Sequence, residues 1–284
     1  MSFSVEALGV PTKATVLRVE RDRIVSFARA TNDYDPQALA GVVASPLFSI
    51  LPMYRPLGSA MRAITPPERM MYTLHGEQDM RFFEQIRPGV ELHATATPLG
   101  ISAKSSGTTI SILGLVTDEH GTKVSEHWMS MFIRGTGDTI TAGEQMPHRE
   151  ILEIERLGSP IANEVQTVAA DQTFRFAEAS GDPMRVHLDN DVARKFGLPG
   201  IICHGLCTMA LAGNAATAAL GGRRPERMKR LAVRFAKPLL PGQDIATRFW
   251  ASETNEVSQS FRFETYAEDG TRVLSNGLVE LTPV

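Results

Sequence analysis

The second half of the chain changes from helical to strand-like spacing of its apolar residues. The segment HGLCTMALAGNAATAAL, residues 204–220, is apolar or small almost all round, which is typical of a helix enclosed by other structure. After it, alternating positions rich in β-branched and aromatic residues predict strands at 231–240, 245–254, 258–268 and 272–281. A helix followed by an antiparallel meander that wraps it indicates an α+β architecture.

The same order of features occurs in the first half of the chain. Residues 21–48 and residues 168–205 each carry a short amphipathic helix, a polar turn with Asp and a Pro-containing apolar segment. Further along, residues 81–97 match residues 234–250, with Arg-Phe and Pro-Gly in register. Repeats in the same order indicate a tandem duplication.

The joint between the two repeats falls in residues 135–160, which are rich in Gly, Thr and charge and weak in periodicity. We therefore predict an N-terminal unit at residues 1–140 and a C-terminal unit at residues 155–284. A chain of 284 residues is long enough for two units that each bury a core.

Composition and charge disfavour several kinds of partner. The formal net charge of -3 supplies no general attraction to nucleic acid or to an anionic membrane. No apolar stretch reaches the roughly 20 residues that a membrane span needs, and the first residues lack a signal-peptide pattern. We expect a soluble, cytoplasmic protein. The two cysteines, Cys203 and Cys207, would share one face of the apolar helix and are interpreted as buried thiols.

The segment ASGDPMRVHLDN, residues 179–190, is the strongest candidate for a functional site. It places Asp182 and His187 five residues apart in a stretch too broken for a regular helix. Taken alone, Gly-Asp-Pro is typical of a turn or a helix cap, and a single His is more often structural. A carboxylate and an imidazole are also a pair that can exchange protons with one water at neutral pH. The downstream pair His204-Gly205, at the start of the apolar helix, favours catalysis.

The run from Phe176 to Gly205 resembles the signature of the R-specific enoyl-CoA hydratases (hydratase 2) and their MaoC-like dehydratase relatives. The residues that match in type and spacing are Ser180, Gly181, Asp182, Val186, His187, His204 and Gly205. The stretches RFAKPLLPGQ and LHGEQDMRF extend the resemblance over most of the chain. Where the family has Asn-Pro, this chain has Met184-Arg185, which removes an amide and adds a cation near the site.

The resemblance implies an α+β double hotdog fold, in which each of two units wraps an antiparallel sheet around a helix. It also implies that the catalytic motif is complete only in the C-terminal unit. The incomplete copy at residues 32–36 fits this, since it has Asp33 and Asp35 but no following His. The N-terminal unit would accommodate the acyl group, and the small residues of LAGVVASPLFSILPM suit a helix that has loosened.

The reaction of the family, addition of water to a trans-2-enoyl thioester, implies a role for three residues. Asp182 and His187 would act on one water, and the product would be a (3R)-3-hydroxyacyl-CoA. The Gly205 backbone N–H, a donor of the first helical turn, would hold the thioester oxygen as it gains negative charge. The predicted substrate-binding residues are Ser180, Gly181, Met184, Arg185 and His204. His204 is expected to brace the oxyanion loop, with a helix cap as the alternative.

We therefore predict an enzyme, a hydro-lyase that acts as an enoyl-CoA hydratase and, in reverse, as a 3-hydroxyacyl-CoA dehydratase in β-oxidation. The expected acyl group is long, branched or a sterol side chain. We expect no cofactor and no metal, because CoA enters as part of the substrate, and we expect a homodimer that binds neither nucleic acid nor membrane. Two alternatives stay open: a non-catalytic acyl-CoA-binding partner subunit, and a hotdog acyl-CoA thioesterase.

Overall fold

The computed structural model describes residues 2–135, 139–151, 154–182, 184–254 and 257–283. Its contacts divide the chain into two compact units, neither of which is continuous in sequence. Unit 1 comprises Met1–Arg18, Ser49–Glu84 and Val90–Glu150; unit 2 comprises Val19–Phe48, Gln85–Gly89 and Ile151–Val284.

The described residues contain six α-helices and eleven strands. The helices are α1 (Arg21–Ala30), α2 (Pro36–Leu39), α3 (Tyr54–Ile64), α4 (Gln172–Ser180), α5 (Asn190–Lys195) and α6 (Gly205–Ala219). The strands are β1 (Thr15–Arg18), β2 (Thr73–Phe82), β3 (Glu91–Lys104), β4 (Gly107–Thr117), β5 (Lys123–Arg134), β6 (Thr141–Gly143), β7 (Ala162–Val168), β8 (Met228–Phe235), β9 (Gln243–Thr254), β10 (Gln259–Ala267) and β11 (Arg272–Leu281).

Unit 1 is an antiparallel sheet packed on α3. The strand order is β1-β3-β4-β5-β2, and the short β6 also pairs with β3. The apolar residues Ala60, Met61 and Ile64 lie at helical spacing and are buried, because α3 contacts β3 and β4. Ahead of α3, Pro46–Met53 forms a 3-10 helix that contains Pro52, so the expected loosened helix is here a tighter 3-10 segment.

Unit 2 repeats this plan around α6. Its antiparallel strands follow the order β8-β11-β10-β9-β7, and α6 contacts β7, β8, β9 and β11. Ten of the fifteen residues of α6 are buried, and they lie on all sides of the helix, as its apolar pattern predicts. At Gly213, an added Cβ would lie 3.0 Å from Leu231 Cδ2, so the helix approaches the sheet where it has no side chain.

The segment Val19–Phe48 packs in unit 2 because α1 lies against α4. Phe27 and Phe176 meet with ring centroids 6.0 Å apart, and Arg175 donates to the Arg29 carbonyl at 2.8 Å. Gln172 donates to the Ala30 carbonyl at the end of α1. The sequence-based division into 1–140 and 155–284 therefore differs from the compact units in where it places this segment.

The two copies of the repeat keep a local likeness at the ends of α1 and α4. Asn32 has φ 51° and Gly181 has φ 79°, and each is followed by an Asp. Asp33 Oδ1 accepts from the backbone N–H two residues on at 2.9 Å, and Asp182 Oδ1 does the same at 3.0 Å. The repeat therefore preserves one turn in two places.

Most predicted elements of unit 2 are present, with three differences. The first strand of the meander ends at Phe235, before Pro238, which lacks the N–H that a sheet ladder uses. Strand β7 was not predicted; it pairs with β9 and exposes its alternate side chains. Cys203 lies before α6 and so does not share a helical face with Cys207, although both thiols are buried as predicted. The predicted joint at 135–160 lies partly outside the described residues.

Among the described residues, none of the helices has both the length and the apolar content needed to cross a membrane.

Candidate active site

The turn after α4 fixes the position of Asp182. Gly181 has φ 79°, a left-handed conformation that ends the helix and that a residue with a side chain rarely adopts. Ser180 is 2% exposed, and its hydroxyl accepts a hydrogen bond from the Asp182 N–H at 3.2 Å. Asp182 Oδ1 in turn accepts from the Met184 N–H at 3.0 Å. These bonds orient the carboxyl group and leave Oδ2 without a backbone partner among the described residues.

His187 is oriented by a bond to the backbone. It ends the 3-10 turn Arg185–His187, and its Nδ1 lies 2.9 Å from the Ile202 carbonyl oxygen. A carbonyl oxygen only accepts hydrogen bonds, so Nδ1 carries the proton and the neutral ring has its lone pair on Nε2. His187 can therefore accept a proton from water at Nε2.

His204 lies beside both residues. Its ring stacks on that of His187 with centroids 3.8 Å apart, and its Nε2 is 4.0 Å from Asp182 Oδ2. One nitrogen or oxygen atom from each of Asp182, His187 and His204 lies within 4.8 Å of the others. The structure thus brings together the predicted pair and adds a third titratable side chain to it.

Burial dominates the electrostatics of this cluster. Desolvation raises the pKa of Asp182, opposed by the Met184 N–H bond and by His187. Desolvation lowers the pKa of His187, opposed by its bond to Ile202 and by Asp182. For His204, burial and then the neighbouring His187 lower the pKa to about 2. The carboxyl is a stronger base than an exposed Asp, and both imidazoles are neutral at neutral pH.

Gly205 is the first residue of α6, and His204 precedes it as the N-cap residue. Within the described part of the chain, the Gly205 N–H donates to no acceptor, as expected for the first turn of a helix. An added Cβ would lie 3.0 Å from two carbon atoms of the Phe235 ring, so a side chain here would require the ring to shift by a few tenths of an ångström. The donor stands at the positive end of a 15-residue helix, where negative charge is stabilised.

Two of the predicted substrate-binding residues point toward solvent. The Arg185 side chain is 71% exposed and forms an ion pair with Asp189 four residues on. Met184 is 56% exposed. Ser180 and His204 are buried and Gly181 forms the turn, so these three support the loop. The substrate-binding roles of all five stay predictions.

The same cluster has a spacing that would also suit a metal ion, and among the described residues it is the only such group of His, Cys, Asp or Glu side chains. His187 Nδ1 and His204 Nδ1 already have hydrogen-bond partners in the protein. The expectation that the protein needs no metal stays a prediction.

Sequence reasoning missed Thr173 and Ile202. Thr173 lies on α4, is fully buried, and has its hydroxyl within hydrogen-bond distance of His187, Ile202 and His204. The available signal was a polar residue three positions before Phe176 on the buried face of an amphipathic helix. Ile202 acts through its backbone carbonyl, and side-chain identity does not reveal such a role.

Comparison with known proteins places this geometry in a family. Residues 33–135 match the model described as MFE-2 hydratase 2 N-terminal domain, and residues 155–271 match the model described as MaoC like domain. A Dictyostelium discoideum protein named probable enoyl-CoA hydratase 2 is 30% identical over 217 residues, covering 75% of this chain and 71% of that protein. The chain belongs to the MaoC-like hydratase 2 family. Another relative, the 3-hydroxyacyl-thioester dehydratase Y of Mycobacterium tuberculosis, is 30% identical and covers 73% of this chain and 72% of its own length.

Solved structures agree on the fold. A MaoC-like dehydratase from Phytophthora capsici has a TM-score of 0.85 at 22% identity and covers 98% of each chain. A Mycobacterium tuberculosis protein described as a double hotdog fold has a TM-score of 0.63 at 12% identity, covering 95% of this chain and 96% of that one. The predicted α+β double hotdog fold is confirmed. The predicted resemblance and the assignment to hydro-lyase enzymes are confirmed as well.

Proposed function

We propose that this member of the hydratase 2 family catalyses the reversible R-specific hydration of a trans-2-enoyl-CoA to a (3R)-3-hydroxyacyl-CoA. The observation that carries the proposal is the convergence of Asp182 and His187 next to the first turn of α6. There, the Gly205 N–H donates to no acceptor among the described residues. This arrangement has a proton-accepting pair and an oxyanion donor, which are the groups that hydration of an enoyl thioester requires.

In the proposed reaction, Asp182 and His187 hold one water. As the water oxygen bonds to C3, its proton passes to the pair, and the pair returns a proton to C2, so that one water adds across the double bond. Addition from one side would give the same-face product. The Gly205 N–H would stabilise the thioester oxygen as it becomes enolate-like, since a donor at a helix N-terminus favours developing negative charge.

We further propose a long, branched or sterol-side-chain acyl group, in a β-oxidation sequence. The support is the 3-10 segment Pro46–Met53 ahead of α3, where unit 2 has the continuous helix α6. The regular helix of unit 1 is therefore shorter, with 11 residues in α3 against 15 in α6. We expect CoA to enter as part of the substrate, with no separate cofactor, and we expect the protein to be cytoplasmic and to act as a homodimer.

The direct test is hydration of a series of trans-2-enoyl-CoA substrates, with chiral analysis of the product. We expect (3R)-product, a higher kcat/KM for long or polycyclic substrates than for crotonyl-CoA, and loss of activity in Asp182→Asn and His187→Ala. Absence of turnover at every chain length would refute the proposed reaction. Turnover of crotonyl-CoA at least as good as that of longer substrates would refute the proposed acyl group alone.

The same assay separates the two alternatives. Release of free CoA thiol, detected with a thiol reagent, would identify a thioesterase. Binding of acyl-CoA without turnover, with activity appearing only on addition of another subunit, would identify a partner subunit. The Arg185–Asp189 ion pair bears on the partner-subunit alternative. Arg185 departs from the family pattern, and the ion pair keeps its cation exposed to solvent.

A further inference from the structure

The Thr173 hydroxyl contacts His187, Ile202 and His204 but is not one of the titratable groups of the catalytic cluster. Its Oγ1 is 3.0 Å from His204 Nδ1, 3.2 Å from the His187 carbonyl oxygen and 3.3 Å from the Ile202 carbonyl oxygen. The side chain is fully buried and projects from α4. Three partners around one hydroxyl raise the question of which atoms carry the hydrogens.

One arrangement of hydrogens leaves the fewest of these contacts without a hydrogen. The hydroxyl has one proton to donate, and its two carbonyl neighbours can only accept. The Thr173 proton therefore goes to one of these two carbonyls, and the His187 carbonyl is the nearer at 3.2 Å, while the Ile202 carbonyl also receives the His187 Nδ1–H at 2.9 Å. With the Thr173 proton on either carbonyl, His204 Nδ1 must be the donor in its 3.0 Å contact with the hydroxyl. If Thr173 donated to Nδ1 instead, its lone pairs would face two carbonyl oxygens.

This arrangement determines what His204 presents to Asp182. With the proton on Nδ1, the neutral ring has a bare lone pair on Nε2. That atom is buried, has no hydrogen-bond partner among the described residues, and lies 4.0 Å from Asp182 Oδ2. A lone pair facing a carboxylate favours the protonated carboxyl, whereas an N–H would favour the ionised one.

We propose that Thr173 is a positioning residue that holds His204 in its Nδ1–H tautomer, so that the Nε2 lone pair keeps Asp182 a strong base for water. The inference rests on the proposed function in taking Asp182 as that base. Thr173 acts through His204 and touches neither water nor substrate. His204 thereby has an electrostatic role besides its place before α6.

The other groups around Asp182 do not substitute for this effect. The groups that face it or lie next to it are His187 from the 3-10 turn, His204 from the start of α6, Arg23 from α1, whose guanidinium is 3.7 Å from a Cβ added to Gly181, and the exposed Arg185–Asp189 pair. Arg23 is a cation and favours ionisation of the carboxyl. Within this set, only the orientation of the His204 lone pair depends on a single hydroxyl.

The test compares Thr173→Val, which removes the hydroxyl at nearly constant volume, with Thr173→Ser, which keeps it. Thr217→Val is the matched control, because Thr217 bonds the Gly213 carbonyl on α6 and has no part in the cluster. The tautomer is read by 15N NMR of histidine-labelled protein, with the His204 signal assigned by its loss in His204→Asn. We expect a protonated Nδ1 and a bare Nε2 in the wild type, in Thr173→Ser and in Thr217→Val.

Kinetics supply the second readout. In Thr173→Val, His204 is free to place its proton on Nε2 and donate to Asp182, so kcat should fall by about three- to tenfold with KM changed less than about twofold. The acid limb of the kcat profile should move to lower pH by about one unit. Thr173→Ser should restore both values.

Two results would overturn the inference: a protonated Nε2 on His204 in the wild type, or a pH profile of Thr173→Val that superimposes on that of the wild type while its melting temperature shows that it is folded. Failure of the proposed function would give a different experimental result. There, the NMR spectrum would show the Nδ1–H tautomer and its loss in Thr173→Val, with no hydration of any enoyl-CoA by the wild type.

Discussion

Replacement of Asp33 by Asn should stabilise the protein in a pH-dependent way. Asp33 is the counterpart of Asp182 in the incomplete repeat, and it is 7% exposed with no His following it. Burial raises its pKa to about 6, partly offset by the Asp35 N–H bond. The carboxylate therefore lies in a site that favours the neutral acid.

The magnitude follows from the pKa difference. The folded protein holds the Asp33 proton up to about pH 6, whereas the unfolded chain releases it near 3.8, so stability falls as the pH rises through that window. At about 1.4 kcal/mol for each tenfold change in proton affinity, the cost above about pH 7 is at most roughly 3 kcal/mol. Asn keeps an acceptor for the Asp35 N–H and avoids that cost.

The assay is thermal unfolding followed by circular dichroism at about pH 8 and about pH 4. We expect Asp33→Asn to melt at least about 2 °C above the wild type at the higher pH and within about 1 °C of it at the lower. Asp22→Asn, which replaces an exposed Asp on α1, is the control and should change stability by less than about 0.5 kcal/mol at either pH. An equal melting temperature at the higher pH, or a gain of the same size at both, would refute the reasoning.

Further predictions concern the site and the thiols. Asp182→Asn keeps the acceptor for the Met184 N–H and removes the base, so kcat/KM should fall by about 10²–10⁴ without loss of melting temperature at about pH 8; activity within tenfold of wild type would argue against this role. Gly205→Ala places a Cβ 3.0 Å from the Phe235 ring and would displace the N–H, so kcat should fall by about 10², and adding Phe235→Leu should recover part of it. An unchanged kcat in Gly205→Ala would contradict the tight fit of this residue against Phe235. Burial raises the pKa of Cys203 to about 12, and that of Cys207 is also raised, so iodoacetamide at about pH 8 should label both only after unfolding; rapid labelling of the folded protein would contradict this.

The sequence pattern determined the fold because the helix and strands of each hotdog unit have apolar residues at helical or strand spacing. An apolar helix followed by alternating strands is visible in the residues of α6 and β8–β11, and the repeat shows that the plan occurs twice. The Ser180-to-Gly205 motif located the cluster, because its residues share one loop and one helix start. Edge strand β7 was not predicted because a short strand with exposed alternate residues resembles a loop.

Tertiary structure alone decided how the site works and where one segment belongs. Packing of α1 on α4 assigns Val19–Phe48 to unit 2, and no local pattern contains that contact. The proton positions on His187 and His204 depend on the Ile202 carbonyl and the Thr173 hydroxyl, which lie 15 residues or more from the imidazoles they orient. Residue identity and spacing determine which groups can exchange protons. The packing that desolvates and orients those groups sets their basicity, because hydrogen-bond direction and burial are properties of the folded chain.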